Sequence, residues 1–233
     1  MQGYPNTNVK YISSGLVFDK EKVVPVRNRV FYDKILTPSK PAQGGFWGSL
    51  YTPEAAYRSD WERFIKEKMY LQEDWLEKIE KPSTIFSLRS DTWLLYLDTF
   101  RDLYGEMIEQ EDGRAKLQNP VIVPHYVKVI QPEFSAYAKQ PFINFEEQQK
   151  IFDAMAVSKN FVNLVSWCLN TFDRRAAMLQ AQGIFLSDEA LDKFIYNENL
   201  TKYDVVFAEM FEDWHVESIL VFNPECVNVI DIV

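Results

Sequence analysis

Apolar residues in this chain come in short runs, and that habit narrows the fold more than any motif does. The run Ser218-Ile219-Leu220-Val221-Phe222 is among the longest, far short of the roughly 20 residues a membrane-spanning helix needs. Short runs rich in β-branched and aromatic residues read as strands, and they fall at residues 9–13, 23–26, 83–88, 92–97, 153–157, 216–222 and 226–232. Helical periodicity fills much of the space between. Thr52 reads as an N-cap with Pro53 at the first helical position, and Tyr57, Trp61, Phe64 and Ile65 then share one face of a helix running to about Leu71. Thr99 reads as the cap of a helix carrying Phe100, Leu103, Tyr104 and Met107, with the acidic run 106–112 as its solvated end. Further helices are expected over 146–152, over 161–180 with the stripe Val162, Val165, Leu169 and Phe172, and over 188–196 capped by Ser187. Residues 120–141 mix β-branched residues with prolines and carry no clear period. Strands and helices thus intersperse without the regular βαβ rhythm of a doubly wound sheet, which predicts an α+β fold, read as one domain over residues 1–233.

Composition removes several function classes. Hydrophobic residues at 47% and charged residues at 25% exclude a disordered, collagen-like or coiled-coil chain. Lys and Arg total 25 against 34 Asp and Glu, and a net charge of -9 argues against wrapping a phosphate backbone as the main task. Two cysteines, Cys168 and Cys226, have neither CxxC spacing nor supporting histidines, so no disulfide framework or zinc site is expected. The first residues lack a basic and then apolar leader, so a cytoplasmic protein without a membrane partner is the expectation. GxGxxG, GxxxxGK[ST], HExxH and GxSxG are all missing, and the two histidines are His125 and His215.

Two segments stand out. In Lys40-Pro-Ala-Gln-Gly-Gly-Phe-Trp-Gly-Ser-Leu-Tyr51, the pair Gly44 and Gly45 lets the backbone approach a ligand, and Phe46, Trp47 and Tyr51 supply rings that stack on a flat group. In Trp214-His-Val-Glu-Ser-Ile-Leu-Val-Phe-Asn-Pro-Glu-Cys-Val227, the acid Glu217 opens an otherwise apolar strand. Together these segments resemble the ADP-ribosyltransferase superfamily, including its poly(ADP-ribose) polymerase-like branch. There a glycine-aromatic strand with a following small hydroxyl residue lines the nicotinamide pocket, and a later strand opens with the catalytic Glu. The chain is also similar to bacterial and phage proteins that pair a Lys-Pro-x-Gly-Gly-aromatic-Trp-x-Ser block with a downstream Ser-Asp-Trp, here Ser59-Asp60-Trp61, and a Glu-Ser-Ile-Leu strand.

The resemblance implies a split β-sheet core with peripheral helices and NAD as substrate. It makes Glu217 the catalytic carboxylate, with Gly44, Gly45, Phe46, Trp47, Ser49 and Tyr51 around the nicotinamide. The superfamily's first strand supplies a His or Arg, whereas residues 9–15 here contain neither; Lys10, Tyr11 or Ser13 would substitute, or Arg27 or Arg29 from the next segment. His215, two residues before Glu217, departs from the acid or amide of arginine-modifying members, so arginine is not favoured as acceptor. The implied activity is mono-ADP-ribosyl transfer to a protein or nucleic acid, in a toxin, defence or counter-defence role and with a cognate inhibitor or target protein as partner. Two rivals stand beside it, a non-catalytic interaction protein of the same fold and an NAD glycohydrolase. Each residue also has a plainer role: Glu217 as an edge-strand charge, Tyr57, Trp61 and Phe64 as core, Gly44 and Gly45 as a tight turn, and His215 as an ordinary surface or core histidine.

Overall fold

The computed structural model describes residues 2–3, 8–28, 30–31, 34–35, 39–53, 56–103, 106–109, 115–118, 122–124, 141–181, 208 and 210–233. In chain order the elements are β1 (Gln2–Gly3), β2 (Tyr11–Ser13), β3 (Val30–Phe31), β4 (Lys34–Ile35), β5 (Phe46–Leu50), α1 (Asp60–Lys68), α2 (Glu73–Ile79), β6 (Thr84–Leu88) and β7 (Leu94–Leu97). They continue as β8 (Glu106–Glu109), β9 (Ala115–Gln118), β10 (Ile122–Pro124), β11 (Pro141–Ile143), α3 (Phe145–Ile151), β12 (Ala154–Val157), α4 (Lys159–Ala181), β13 (Ser218–Val221) and β14 (Val227–Ile232). The class is mixed α+β, as expected from the sequence.

Among the described residues eight strands form the main sheet, in the order β1-β7-β12-β13-β5-β2-β6-β14. Only β7 and β12 pair in parallel; every other neighbour in it is antiparallel. Apolar side chains from both sides of this sheet enter separate clusters. One holds Leu95, Leu97, Met155, Val157 and Leu220 beneath Phe161, Val165 and Cys168 of α4. The other holds Tyr11, Phe46, Phe86, Leu94, Ala154, Ala156, Ile219 and Val221. Burying both faces explains why β6, β12 and β13 are apolar runs rather than alternating ones. Among the described residues no helix is long and apolar enough to cross a membrane.

Several local expectations are corrected. Thr52 does not start a helix, because its N–H donates to the Arg58 carbonyl (2.9 Å) and its hydroxyl to Tyr57 O (3.5 Å), closing a loop instead. Ser59 caps α1, its hydroxyl accepting the Glu62 N–H at 3.2 Å. The buried Glu62 is held by Arg58 at 2.6 Å and by the Ser14 hydroxyl at 2.9 Å. Residues 23–26 form no strand, although Arg27 bridges to Gln43 just beyond them. The helix expected after Thr99 is one 3-10 turn, Phe100–Leu103, and Met107 lies in β8 paired with β9. The acidic run is thus partly a strand. The helix expected over 188–196 and most of 120–141, with His125, lie outside the described residues. The long helix begins at Lys159 because Ser158 precedes it and its Oγ accepts the Phe161 N–H at 3.0 Å.

Asp153 ties the main sheet together at one end. Its carboxylate accepts the Trp93 N–H and the Asn223 amide, each at 2.7 Å. Its carbonyl accepts the N–H groups of Phe222 and Asn223 at 2.8 and 2.9 Å. Asp153→Ala is expected to cost about 3 kcal/mol, because hydrogen bonds to charged groups contribute roughly 1.5–3 kcal/mol each. Equilibrium urea unfolding of the variant measures this directly.

Candidate functional site

Register decides what can meet. Ser218 stands opposite Ser49 on one side and Val157 on the other; Ser49 stands opposite Ile12, and Val157 opposite Leu97. This cross-strand row faces the side of Leu97 and Val157. Side chains alternate along each strand, so the rows on either side point the opposite way. The next row toward the amino end of β13 contains Glu217, Leu50 and Tyr11, with Ser158 and Asp98 at its far end. Glu217 therefore lies on the side of Tyr11 and Phe86, where Tyr96 also packs.

The Glu217 carboxyl is half-buried, and burial pushes it above the usual carboxylate range. The Lys159 ammonium opposes that shift, while Asp60 and Asp98 add to it. Burial is also the main cause of the raised Tyr11 and Tyr96 phenols, and the Glu217 charge is the next in both. The surrounding groups are held firmly. The Ser158 hydroxyl donates to Asp98 Oδ1 at 2.6 Å, Asn160 Nδ2 donates to the Asp98 carbonyl at 3.1 Å, and Lys159 Nζ reaches Asp60 Oδ2 at 3.4 Å. These groups gather where the parallel pair β7 and β12 ends and where β13 begins. A carboxylate so placed can stabilise positive charge or take a proton from a substrate hydroxyl.

On the other side of the sheet is a cavity of about 340 Å³. Trp47, Trp61, Trp75 and Trp214 wall it, and Ile12, Ser49 and Ser218 line its sheet side. The Trp61 and Trp75 rings meet edge to face at 5.6 Å, and Trp47 and Trp214 are 5.5 Å apart. The Trp214 indole donates to Ser39 O at 3.2 Å and Oγ at 3.1 Å. Lys40 Nζ donates to the Asp213 carbonyl at 2.6 Å and stands 6.0 Å from the Trp214 ring. His215 stacks on Phe64 at 4.5 Å, and partial desolvation, followed by the Lys40 charge, lowers its pKa from 6.5. Among the described residues the buried Ser49 hydroxyl has no hydrogen-bond partner. Ser49→Ala is expected to stabilise the protein by about 1 kcal/mol, since an unpaired buried hydroxyl costs roughly that much or more; a higher urea midpoint with unchanged slope is the readout.

The structure divides the residues singled out from the sequence. Glu217 and Tyr11 share one face, with exposed Lys10 beside them in the chain; Tyr51 donates its N–H to the Lys10 carbonyl at 2.9 Å. Ser13, Gly45, Trp47 and Ser49 line the cavity instead. Phe46 is core at 2% exposure. Gly44 has φ +88° and Gly45 φ +70°, so this turn requires glycine, and Gly45 N–H donates to the Val24 carbonyl at 2.9 Å. Arg27 is exposed, and Arg29 lies outside the described residues. Trp61 is a cavity wall rather than core, Phe64 is half-buried against His215, and Tyr57 precedes α1. Sequence reasoning missed Tyr96, Asp98, Ser158 and Lys159 around Glu217, and Lys40, Trp75, Lys78 and Asp213 at the cavity. The available signal was polar residues directly after two apolar runs, at Asp98 and Ser158. Compared with family models, curated proteins and solved structures, the chain matches none.

Proposed function

We propose that this chain is a mono-ADP-ribosyltransferase that moves ADP-ribose from NAD to a macromolecular acceptor, with Glu217 as its catalytic carboxylate. One observation carries the reading: the segments that resemble the superfamily's first, middle and late strands, separated by long stretches of sequence, are hydrogen-bonded neighbours in the order β13-β5-β2. The residues present suit the ribose end of NAD, because a half-buried carboxylate beside tyrosine rings is positioned to meet a sugar hydroxyl and a developing cation. The bond between the ribose anomeric carbon and the nicotinamide nitrogen breaks, and nicotinamide leaves with the electron pair. Glu217 accepts a hydrogen bond from the 2'-hydroxyl and stabilises the positive charge left on the sugar. An acceptor nucleophile bonds to that carbon and releases its proton. Lys159, the cation whose charge acts on Glu217, is assigned to the pyrophosphate. Transfer to a protein or nucleic acid fits a toxin, defence or counter-defence factor.

The rival reading, a non-catalytic partner-binding protein, draws on the tryptophan cavity standing on the face away from Glu217 and on a first strand without His or Arg. Incubating the purified protein with labelled NAD and a cell lysate separates them. The transferase releases nicotinamide and labels a lysate species. Release without label identifies a glycohydrolase, and no release together with no NAD binding by calorimetry overturns the enzymatic reading.

A further inference from the structure

We propose that Asp98 is the general base of the transfer and that the acceptor it activates is a hydroxyl of a protein. The proposal rests on the transferase reading, in which Glu217 is engaged by the ribose and the acceptor's proton needs another destination. Register supplies a second carboxylate. Glu217 precedes Ser218, which stands opposite Val157, and Ser158 and Asp98 directly follow the paired Val157 and Leu97. Asp98, Ser158 and Glu217 thus form one row on one face of the sheet, with Asp98 two strand spacings, on the order of 10 Å, from Glu217. Carboxyl groups set well apart in this way leave room for a nucleophile beside the sugar that one of them stabilises.

Asp98 is held for such a role, and Asp60 is not. The Asp98 N–H donates to Asp102 Oδ2 at 2.9 Å, its carbonyl accepts the Asn160 amide at 3.1 Å, and its Oδ1 accepts the Ser158 hydroxyl at 2.6 Å. Oδ2 has the Asn160 amide at 3.5 Å, the outer limit of a hydrogen bond, so it keeps lone-pair capacity for a proton. Asp60 is ion-paired through both oxygens, to Arg63 at 2.9 Å and to Lys159 at 3.4 Å. The Asp98 charge also acts on the Glu217 carboxyl, as expected of two groups around one space. Chemistry then selects the acceptor. A carboxylate or phosphate has no proton to lose at neutral pH and would meet both Glu217 and Asp98, while lysine and arginine hold their protons too tightly for a carboxylate to remove. A neutral hydroxyl becomes strongly acidic as its oxygen bonds to the anomeric carbon, so a carboxylate suffices. The net charge of -9 disfavours a nucleic acid, which leaves a serine, threonine or tyrosine side chain. The bond to nicotinamide breaks with its electron pair on nitrogen, the acceptor oxygen bonds to the anomeric carbon, and the hydroxyl proton passes to Asp98 Oδ2 and then to water.

Labelled NAD and a cell lysate, incubated with the wild type or with Asp98 variants, test this, with NAD binding followed by calorimetry. Asp98→Asn keeps the shape of the side chain and removes the base, so label transfer should fall about 10²-fold while the NAD dissociation constant stays within about twofold of the wild type. Asp98→Glu restores a base and should transfer at least about tenfold faster than Asp98→Asn, and far-UV circular dichroism reports whether each variant is folded. Transfer by folded Asp98→Asn at the wild-type rate overturns the proposal. Equal loss in the Asn and Glu variants does so as well, and so does a loss matched by weaker NAD binding, since the residue then holds the site rather than the proton. Label that nuclease, neutral hydroxylamine or mercuric ion removes would sit on nucleic acid, a carboxylate or a thiol and rejects the hydroxyl acceptor. Nicotinamide release by the wild type without label rejects it too, because water is then the acceptor. A wild type that neither binds NAD nor releases nicotinamide is a distinct result, which sinks the transferase reading and this proposal with it.

Discussion

Glu217→Gln is expected to lower nicotinamide release from NAD by about 10²–10³-fold, the usual loss when one preorganised charge-stabilising group is removed. The amide keeps the volume and loses only the charge, so KM should change far less than kcat. Stability should move the other way. In the folded protein burial raises the Glu217 pKa above 4.5, which means the unfolded chain holds the charge more easily. At neutral pH that carboxylate therefore costs stability, and the cost disappears as pH falls through the raised pKa toward 4.5. The Gln variant should unfold at an equal or higher temperature than the wild type at pH 7, and should lack this pH-dependent component. Activity of the wild type should fall on the acid side with a midpoint above 4.5, because the charged form does the chemistry. A variant equally active at neutral pH would remove Glu217 from the mechanism.

The second large effect is structural. Gly44→Ala is expected to destabilise the fold by about 2–5 kcal/mol, combining left-handed backbone strain with overpacking. At φ +88° a Cβ on Gly44 would stand 2.2 Å from the Pro25 carbonyl oxygen and 2.8 Å from that of Val24. Neither oxygen belongs to a flexible side chain, so the loop must move. Because Gly45 leads directly into β5, which pairs with both β13 and β2, the disturbance reaches the strands that carry Ser49 and Glu217. Thermal unfolding followed by circular dichroism should show a midpoint lower by roughly 5–15 °C for a chain of this size. An unchanged midpoint would mean that the turn is not built this way.

Much of this architecture is legible in the residues themselves. The apolar runs at β6, β7, β12, β13 and β14 announce strands because each is buried on both faces or pairs along its length. Helix α4 is equally plain from its stripe of Val162, Val165 and Leu169. What a single sequence does not encode locally is parity. Whether Glu217 shares a face with Tyr11 or with Trp47 depends on Ser218 pairing with Ser49 and on Ser49 pairing with Ile12, and a slip of one residue inverts the answer. The two segments lie on paired strands, and the pleat turns Trp47 and Glu217 to opposite faces. Competing caps mislead for a similar reason. Thr52-Pro53 is a good helix start in isolation, but Thr52 bonds its own loop, and Ser59 is left to hold α1. The groups around Glu217 were hidden by distance in sequence, since Asp98 and Ser158 meet only because β7 and β12 lie side by side.

The central claim is that Glu217 is the working carboxylate at an NAD site. The carboxyl carbon of Glu217, followed by NMR in protein carrying ¹³C-labelled glutamate and assigned by its loss in Glu217→Gln, tests it most directly. The account predicts titration above 4.5 and a clear shift when NAD is added. A carboxyl that titrates at or below that value and ignores NAD, while nicotinamide is still released, would contradict it and send the chemistry to another part of the molecule.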